Sequence, residues 1–277
     1  MNYLKKIICC NLFLLTFVIQ TKAKEGIQQK IVTLTSLSSD LLNVISPESL
    51  VGVSGSKIIK NNKAFKDKVF VTEGRNPPDL EKIISLKPNL VIGSKGFHDK
   101  TLSKLNSLGI KTISTEIRNW EDLEELNNKL TKFIGKDSND LSTILNDCYP
   151  KNKNIRDEIV VLATLKPLVS PNSRSWSGSL LRRFNFNNLT SDLDSKSAFR
   201  GYVNLSPEWL ISNNPSKIII VNYPSREKTS LQSLPFWRDL KAIKENKVYS
   251  FDYYGLINPG SLNSINQSCK KLSSINF

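Results

Sequence analysis

Two stretches of the chain share one arrangement of apolar and polar positions. Residues 78–92 read Pro-Asp-Leu-Glu-Lys-Ile-Ile-Ser-Leu-Lys-Pro-Asn-Leu-Val-Ile, and residues 205–219 read Leu-Ser-Pro-Glu-Trp-Leu-Ile-Ser-Asn-Asn-Pro-Ser-Lys-Ile-Ile. Setting Glu81 on Glu208 also sets Ile83 on Leu210, Ile84 on Ile211, Ser85 on Ser212, Pro88 on Pro215 and Val91 on Ile218, without a gap. Each copy predicts a helix opened by proline and an acidic residue, where a missing N–H is harmless and negative charge suits the helix dipole. A second proline stops the helix. The short, continuous apolar run after it suits a parallel strand covered on both faces. Two such units predict two similar α/β lobes, each large enough to bury its own core.

The remaining pattern alternates in the same way. Strands are expected over 31–34, 50–53, 69–71 and 111–114, with helices following Ser38, Ser39 or Asp40 and over 100–108, and a polar loop over 54–68. Leu123, Leu126, Leu130 and Phe133 recur at helical spacing, which predicts a helix over 120–133 that Gly135 ends. The N-terminal lobe is thus read as residues 28–135. Residues 136–156 form the link, with Leu141, Ile144 and Leu145 as a helical stripe that Pro150 closes. The C-terminal lobe, 157–277, is expected to hold strands at 159–163 and 248–251, a polar segment over 171–178, and helices over 179–184 and 262–272. Such alternation argues for parallel sheets covered by helices on both faces, an α/β fold in each lobe.

The first residues are read as an export signal. Lys5 and Lys6 precede an apolar run over 7–19, too short to span a bilayer comfortably, and Thr21-Lys22-Ala23 supplies small residues for cleavage after residue 23. Cys9 and Cys10 open that run, so no lipoprotein cleavage site is apparent. Losing three lysines with this segment takes the formal charge from +14 to +11. The basic residues are scattered and not interleaved with aromatics, which argues against nucleic acid and leaves an anionic membrane surface or an anionic small ligand. Cys148 and Cys269 remain after export. The compartment permits them to pair, and two separate buried thiols are the alternative.

Catalytic signatures are missing. His98 is the only histidine, so a histidine metal site or a Ser-His-acid triad would have to be built on it alone, and a lone histidine in a polar loop is ordinarily a surface residue. No G-x-S-x-G, Walker A or G-x-G-x-x-G sequence occurs. Aromatic and cationic residues instead follow the strands, where open parallel sheets bind ligands. In the first lobe these are Arg75, Asn76, Lys95, Phe97 and His98. In the second they are Arg174, Trp176, Phe199, Arg200, Tyr202, Tyr223, Arg226, Tyr253 and Tyr254. Rings that stack and cations that pair suit a flat apolar ligand carrying acidic groups.

The pattern resembles a family: the helical-backbone, class III periplasmic substrate-binding proteins of ABC importers that handle ferric siderophores, haem and cobalamin. The resemblance rests on residues 30–42 with 50–54, on Asp79-Leu-Glu-Lys-Ile-Ile-Ser-Leu-Lys-Pro-Asn-Leu-Val-Ile, on residues 205–210 with 214–221, and on Pro235-Phe-Trp-Arg-Asp-Leu-Lys-Ala-Ile-Lys-Glu-Asn-Lys-Val-Tyr. It implies two α/β lobes joined by a single bridging helix, a ligand in the cleft, and one acidic docking residue per lobe facing a membrane permease. Glu81 and Glu208 match those docking positions. The link over 136–156 is short for the family. The related zinc and manganese binders use several histidines, which His98 cannot supply. The expectation is therefore a monomeric, periplasmic binding protein without a cofactor or metal site of its own, whose ligand is a metal chelate. An exported enzyme acting on an anionic substrate, with His98 or a Tyr/Lys pair as base, or an adaptor without a transporter, is the alternative.

Overall fold

The computed structural model describes residues 29–73, 76–136, 141–150, 157–194, 200–224 and 236–275. In the first lobe, β1 (Ile31–Thr33) runs into α1 (Ser36–Ile45), capped by Thr35, whose side chain accepts from the Ser38 N–H. β2 (Leu50–Val53), α2 (Lys57–Lys60) and β3 (Val69–Phe70) follow. The loop expected over 54–68 is thus interrupted by α2 and by a 3-10 turn at Lys63–Phe65, because Ile59 and Phe65 are both fully buried. Then come α3 (Leu80–Ser85), β4 (Leu90–Ser94), α4 (Asp99–Ser107) and β5 (Lys111–Thr115). All pairings are parallel, in the order β3-β2-β1-β4-β5.

The longest helix among the described residues, α5 (Trp120–Ile134), touches both α1 and the second lobe's α7 (Trp176–Arg183), and the Trp120 N–H donates to Ser179 Oγ at 3.0 Å. Part of the expected bridging segment lies outside the described residues; the described part of the link, residues 136 and 141–150, carries an α turn, α6 (Leu141–Ile144), and a 3-10 turn at Asn146–Cys148. Its backbone turns outward to tertiary partners: the Asp147 N–H donates to Asn266 Oδ1, and Cys148 is disulfide-bonded to Cys269, Cα to Cα 4.8 Å.

The second lobe opens with β6 (Glu158–Leu162), then the antiparallel hairpin β7 (Thr164–Leu165) and β8 (Leu168–Pro171), then α7 and β9 (Asn187–Asn188). β10 (Tyr202–Asn204) adds to β8, making a small antiparallel sheet that the sequence pattern did not predict. α8 (Pro207–Asn213), β11 (Lys217–Asn222), α9 (Lys241–Lys244), β12 (Val248–Asp252), the kinked turn α10 (Tyr253–Leu256) and α11 (Leu262–Ser274) complete it. The main sheet is parallel, β12-β11-β6-β9.

The internal repeat is a repeat of topology. β4 lies between β1 and β5, and β11 lies between β6 and β12, so each copy of the motif supplies a helix and the strand at the same place in its sheet. Both helices also end on a left-handed residue just before the aligned prolines, Lys87 (φ 51°) and Asn214 (φ 37°). A residue preceding proline is disfavoured in the α region, so the chain leaves the helix there. One apolar cluster joins the lobes: Leu41, Leu42 and Leu130 of the first are continuous with Leu181, Leu256 and Leu272 of the second.

Candidate functional site

The loops at the carboxyl ends of the parallel strands meet in a cleft of about 610 Å³ between the lobes. Its first-lobe wall is rich in hydroxyls: Thr35, Ser36 and Ser38 from the start of α1, Ser54 and Ser56 before α2, Thr72, and Ser94 and Thr115 at the ends of β4 and β5. Several of these do local work as well. Ser56 caps α2, Ser36 Oγ lies 2.6 Å from Ser56 Oγ, and Thr72 Oγ1 accepts from the Gly55 N–H at 2.6 Å. They form a fixed polar surface able to donate and accept.

The opposite wall is phenolic. Tyr202, Tyr253 and Tyr254 line it, and Tyr223 lies behind Tyr253 with ring centroids 4.7 Å apart. Burial, and then the neighbouring Tyr253 and Tyr223, raise the Tyr202 pKa above the ordinary phenol value of 10, so this ring stays a neutral donor. The position of Tyr253 and Tyr254 is fixed from below by Gly255, whose φ is +94° and where an added Cβ would meet the Ser264 carbonyl oxygen at 2.0 Å. Only glycine fits that approach. Trp176 Nε1 donates to the Gly255 carbonyl at 2.8 Å.

His98 lines the first-lobe side and is only 4% exposed, in contrast to the surface position ordinary for a lone histidine. Its Nδ1 accepts from the Ser94 N–H at 2.9 Å, and Phe97 meets the ring edge-on at 4.8 Å. Burial pushes its pKa below 6.5, with Asp99 acting more weakly the other way. Among the described residues no group of three or more His, Cys, Asp or Glu side chains is placed to hold a metal ion, and no helix is long and apolar enough to cross a membrane.

This two-lobed arrangement has a sequence signature: the profile of the family described as periplasmic binding protein matches residues 31–254. The chain belongs to that family. This binding protein is 26% identical over 220 residues to the iron-uptake system-binding protein of Bacillus subtilis (strain 168), covering 74% of this chain and 68% of the relative. It is 26% identical over 190 residues to the Fe(3+)-citrate-binding protein YfmC of the same organism, covering 64% of this chain and 58% of that relative's length. Its fold matches an ABC transporter substrate-binding protein from Listeria monocytogenes EGD-e with a TM-score of 0.71 at 19% identity, over 90% of this chain and 99% of the other. The family is one of binding proteins rather than enzymes.

Of the residues that the sequence proposed for ligand contact, the binding protein brings Asn76, Phe97, His98, Tyr202, Tyr253 and Tyr254 to the cleft, with Tyr223 supporting them. Others are elsewhere. Trp176 is core: its ring is 3% exposed and stacks on Trp120 at 6.2 Å, because Ser175 caps α7 one residue earlier and turns Trp176 inward. Arg174 is held by Asp194 at 2.5 Å, and Lys95 reaches Glu116 at 4.0 Å; neither lines the cleft, nor does the exposed Arg200. Arg75, Phe199 and Arg226 lie outside the described residues. The described lining therefore contains no arginine or lysine. The hydroxyl wall was missed because serine and threonine at these places read as helix caps; their shared position just after strands was the available signal.

Glu81 and Glu208 occupy the exposed first turns of α3 and α8. Glu208 has its pKa lowered by its own backbone N–H and by Ser206. A different carboxylate ties the lobes: Asp40 on α1 accepts from the Leu262 N–H of α11 at 2.8 Å. Burial raises its pKa above 3.8 against the pull of the Leu262 and Asn263 N–H groups. A raised carboxyl contributes stability below pH 3.8 that is lost as pH rises through the folded-state value. Asp40→Asn keeps an acceptor and removes the titration. Relative to it, the wild type is expected to lose stability as pH rises from 4 to 7, read from urea midpoints; a constant difference would mean Asp40 keeps its ordinary pKa.

Proposed function

We propose that this protein is exported to the periplasm, captures a metal chelate, a ferric siderophore ahead of haem or cobalamin, and delivers it to the permease of an ABC importer. The observation that carries the reading is the cleft: its 610 Å³ falls within the roughly 300–1,000 Å³ of small-molecule sites, and it combines stacking phenols with many neutral donors. The names of the two Bacillus subtilis relatives support iron as the cargo. The metal arrives inside its chelator, so the protein, working as a monomer, holds no cofactor of its own. Neutral hydroxyls and phenols, in place of the expected arginines, meet the chelate's oxygen atoms along the described lining.

Docking to the permease uses Glu81 and Glu208, one on each lobe at equivalent places in the repeat. Exposed ion pairs contribute only about 0–1 kcal/mol, so these acids orient the complex and speed encounter. Tryptophan fluorescence titrated with ferric hydroxamate, catecholate and citrate chelates, haem and cobalamin tests capture. Saturation by one class at micromolar concentration or below identifies the cargo, and no response to any refutes the reading. The double variant Glu81→Lys with Glu208→Lys is expected to bind normally and to abolish transport; weakened binding would remove the docking assignment.

A further inference from the structure

We propose that His98 contacts the ligand as a neutral hydrogen-bond donor through Nε2, recognising an oxygen acceptor on the chelate, and does not coordinate the metal. This rests on the chelate-binding reading above and adds the role of one residue within it.

The ring has little freedom. Ser94 holds it from two sides, its N–H donating to Nδ1 at 2.9 Å and its carbonyl accepting from the His98 N–H at 2.9 Å. Gly93 lets the side chain lie against the strand, since a Cβ there would come within 2.9 Å of His98 Cβ. A backbone N–H can only donate, so Nδ1 must keep its lone pair and the proton of the neutral ring must sit on Nε2. Among the described residues Nε2 has no hydrogen-bond partner, although the residue is 4% exposed and is one of those that line the cleft. A buried polar side chain left open toward a cavity is completed by what enters the cavity.

Metal ligation through Nε2 would move the proton to Nδ1, where it would face the Ser94 N–H donor to donor. Histidine ligands normally have the reverse arrangement, with the distal N–H donating to an acceptor. An imidazolium would create the same clash. The charged group that acts on the ring is Asp99 on α4, while Glu116, which lines the same cleft after β5, is paired with Lys95 and Arg118. Burial, the main influence on the ring, holds its pKa down and so favours the neutral form, in the same direction as the Ser94 N–H. The ligand class that follows is a chelate presenting a carboxylate, hydroxamate or catecholate oxygen to this corner, with Phe97 packed edge-on at its side. The imidazole then fills no vacant position on the metal.

Because His98 is the only histidine, ring-labelled histidine gives a single imidazole signal in nitrogen NMR of the intact protein. Gallium(III) chelates of citrate, a hydroxamate and a catecholate serve as diamagnetic probes. The free protein is expected to carry its proton on Nε2 and to titrate below the ordinary histidine value. Binding should shift the Nε2 resonance with the proton retained. His98→Ala is expected to weaken binding about tenfold or more, with His98→Gln recovering part through its amide N–H. A proton on Nδ1 in the bound state, or a free ring that exchanges tautomers and titrates near the ordinary value, overturns the proposal. Absence of binding by every probe in fluorescence overturns the chelate reading and the ligand contact with it, while the free-state spectrum still decides the tautomer.

Discussion

Replacing both Cys148 and Cys269 with serine is expected to lower the unfolding free energy by about 2–5 kcal/mol. The bridge closes a loop of 121 residues that includes most of the second lobe, and cross-links over long loops restrict the unfolded chain most. It also ties the link between lobes to the second lobe, joining the 3-10 turn at Asn146–Cys148 to α11. Both sulfurs are fully buried, so reductant acts slowly on the folded protein and the serine variant is the cleaner test. The turn has other anchors: Arg183 Nε donates to the Cys148 carbonyl at 2.6 Å, and its guanidinium lies 4.0 Å from the Trp120 ring and 4.2 Å from the Tyr149 ring. The variant should therefore still fold and bind. An unchanged urea midpoint would show that these contacts alone fix the link.

Trp176→Ala is expected to destabilise by about 3–5 kcal/mol, the range for deleting a buried large aromatic. The ring stacks on Trp120 and its N–H holds the Gly255 carbonyl, so its loss opens a cavity beneath Tyr253 and Tyr254 as well. Trp176→Phe separates the two effects. It keeps most of the volume and leaves the carbonyl unpaired, at about 1–3 kcal/mol. Urea unfolding and ligand titration together read the outcome. Weaker binding without lost stability would mean that the indole touches the ligand, as its place in a polar stretch of sequence first implied.

Much of the scaffold was legible because its elements bury the way periodicity says. β4 and β11 are continuous apolar runs and lie centrally, covered on both faces; α5 keeps Leu123, Leu126 and Leu130 on one buried stripe. The hairpin of β7 and β8 was not legible, since strands this short carry no period. The site was read in part. Tyrosines after strands reached the cleft, whereas Arg174 was diverted by Asp194, a partner 20 residues away in sequence. His98 illustrates the limit most clearly: its neighbours Lys95 and Asp99 are exposed, and only the three-dimensional turn at Ser94 carries the ring inward.

The apolar cluster that runs without a break through both lobes bears on how new specificities can be made in this scaffold. Because the halves repeat each other, exchanging one lobe with that of a relative looks simple. Such a chimera would cut the seam where α1 meets α11 and α5 meets α7, separating Asp40 from Leu262 and Trp120 from Ser179. Grafts confined to the loops after β4, β5 and β12 leave that seam whole, so ligand preference in this chain is best changed loop by loop, with the two halves inherited as a unit.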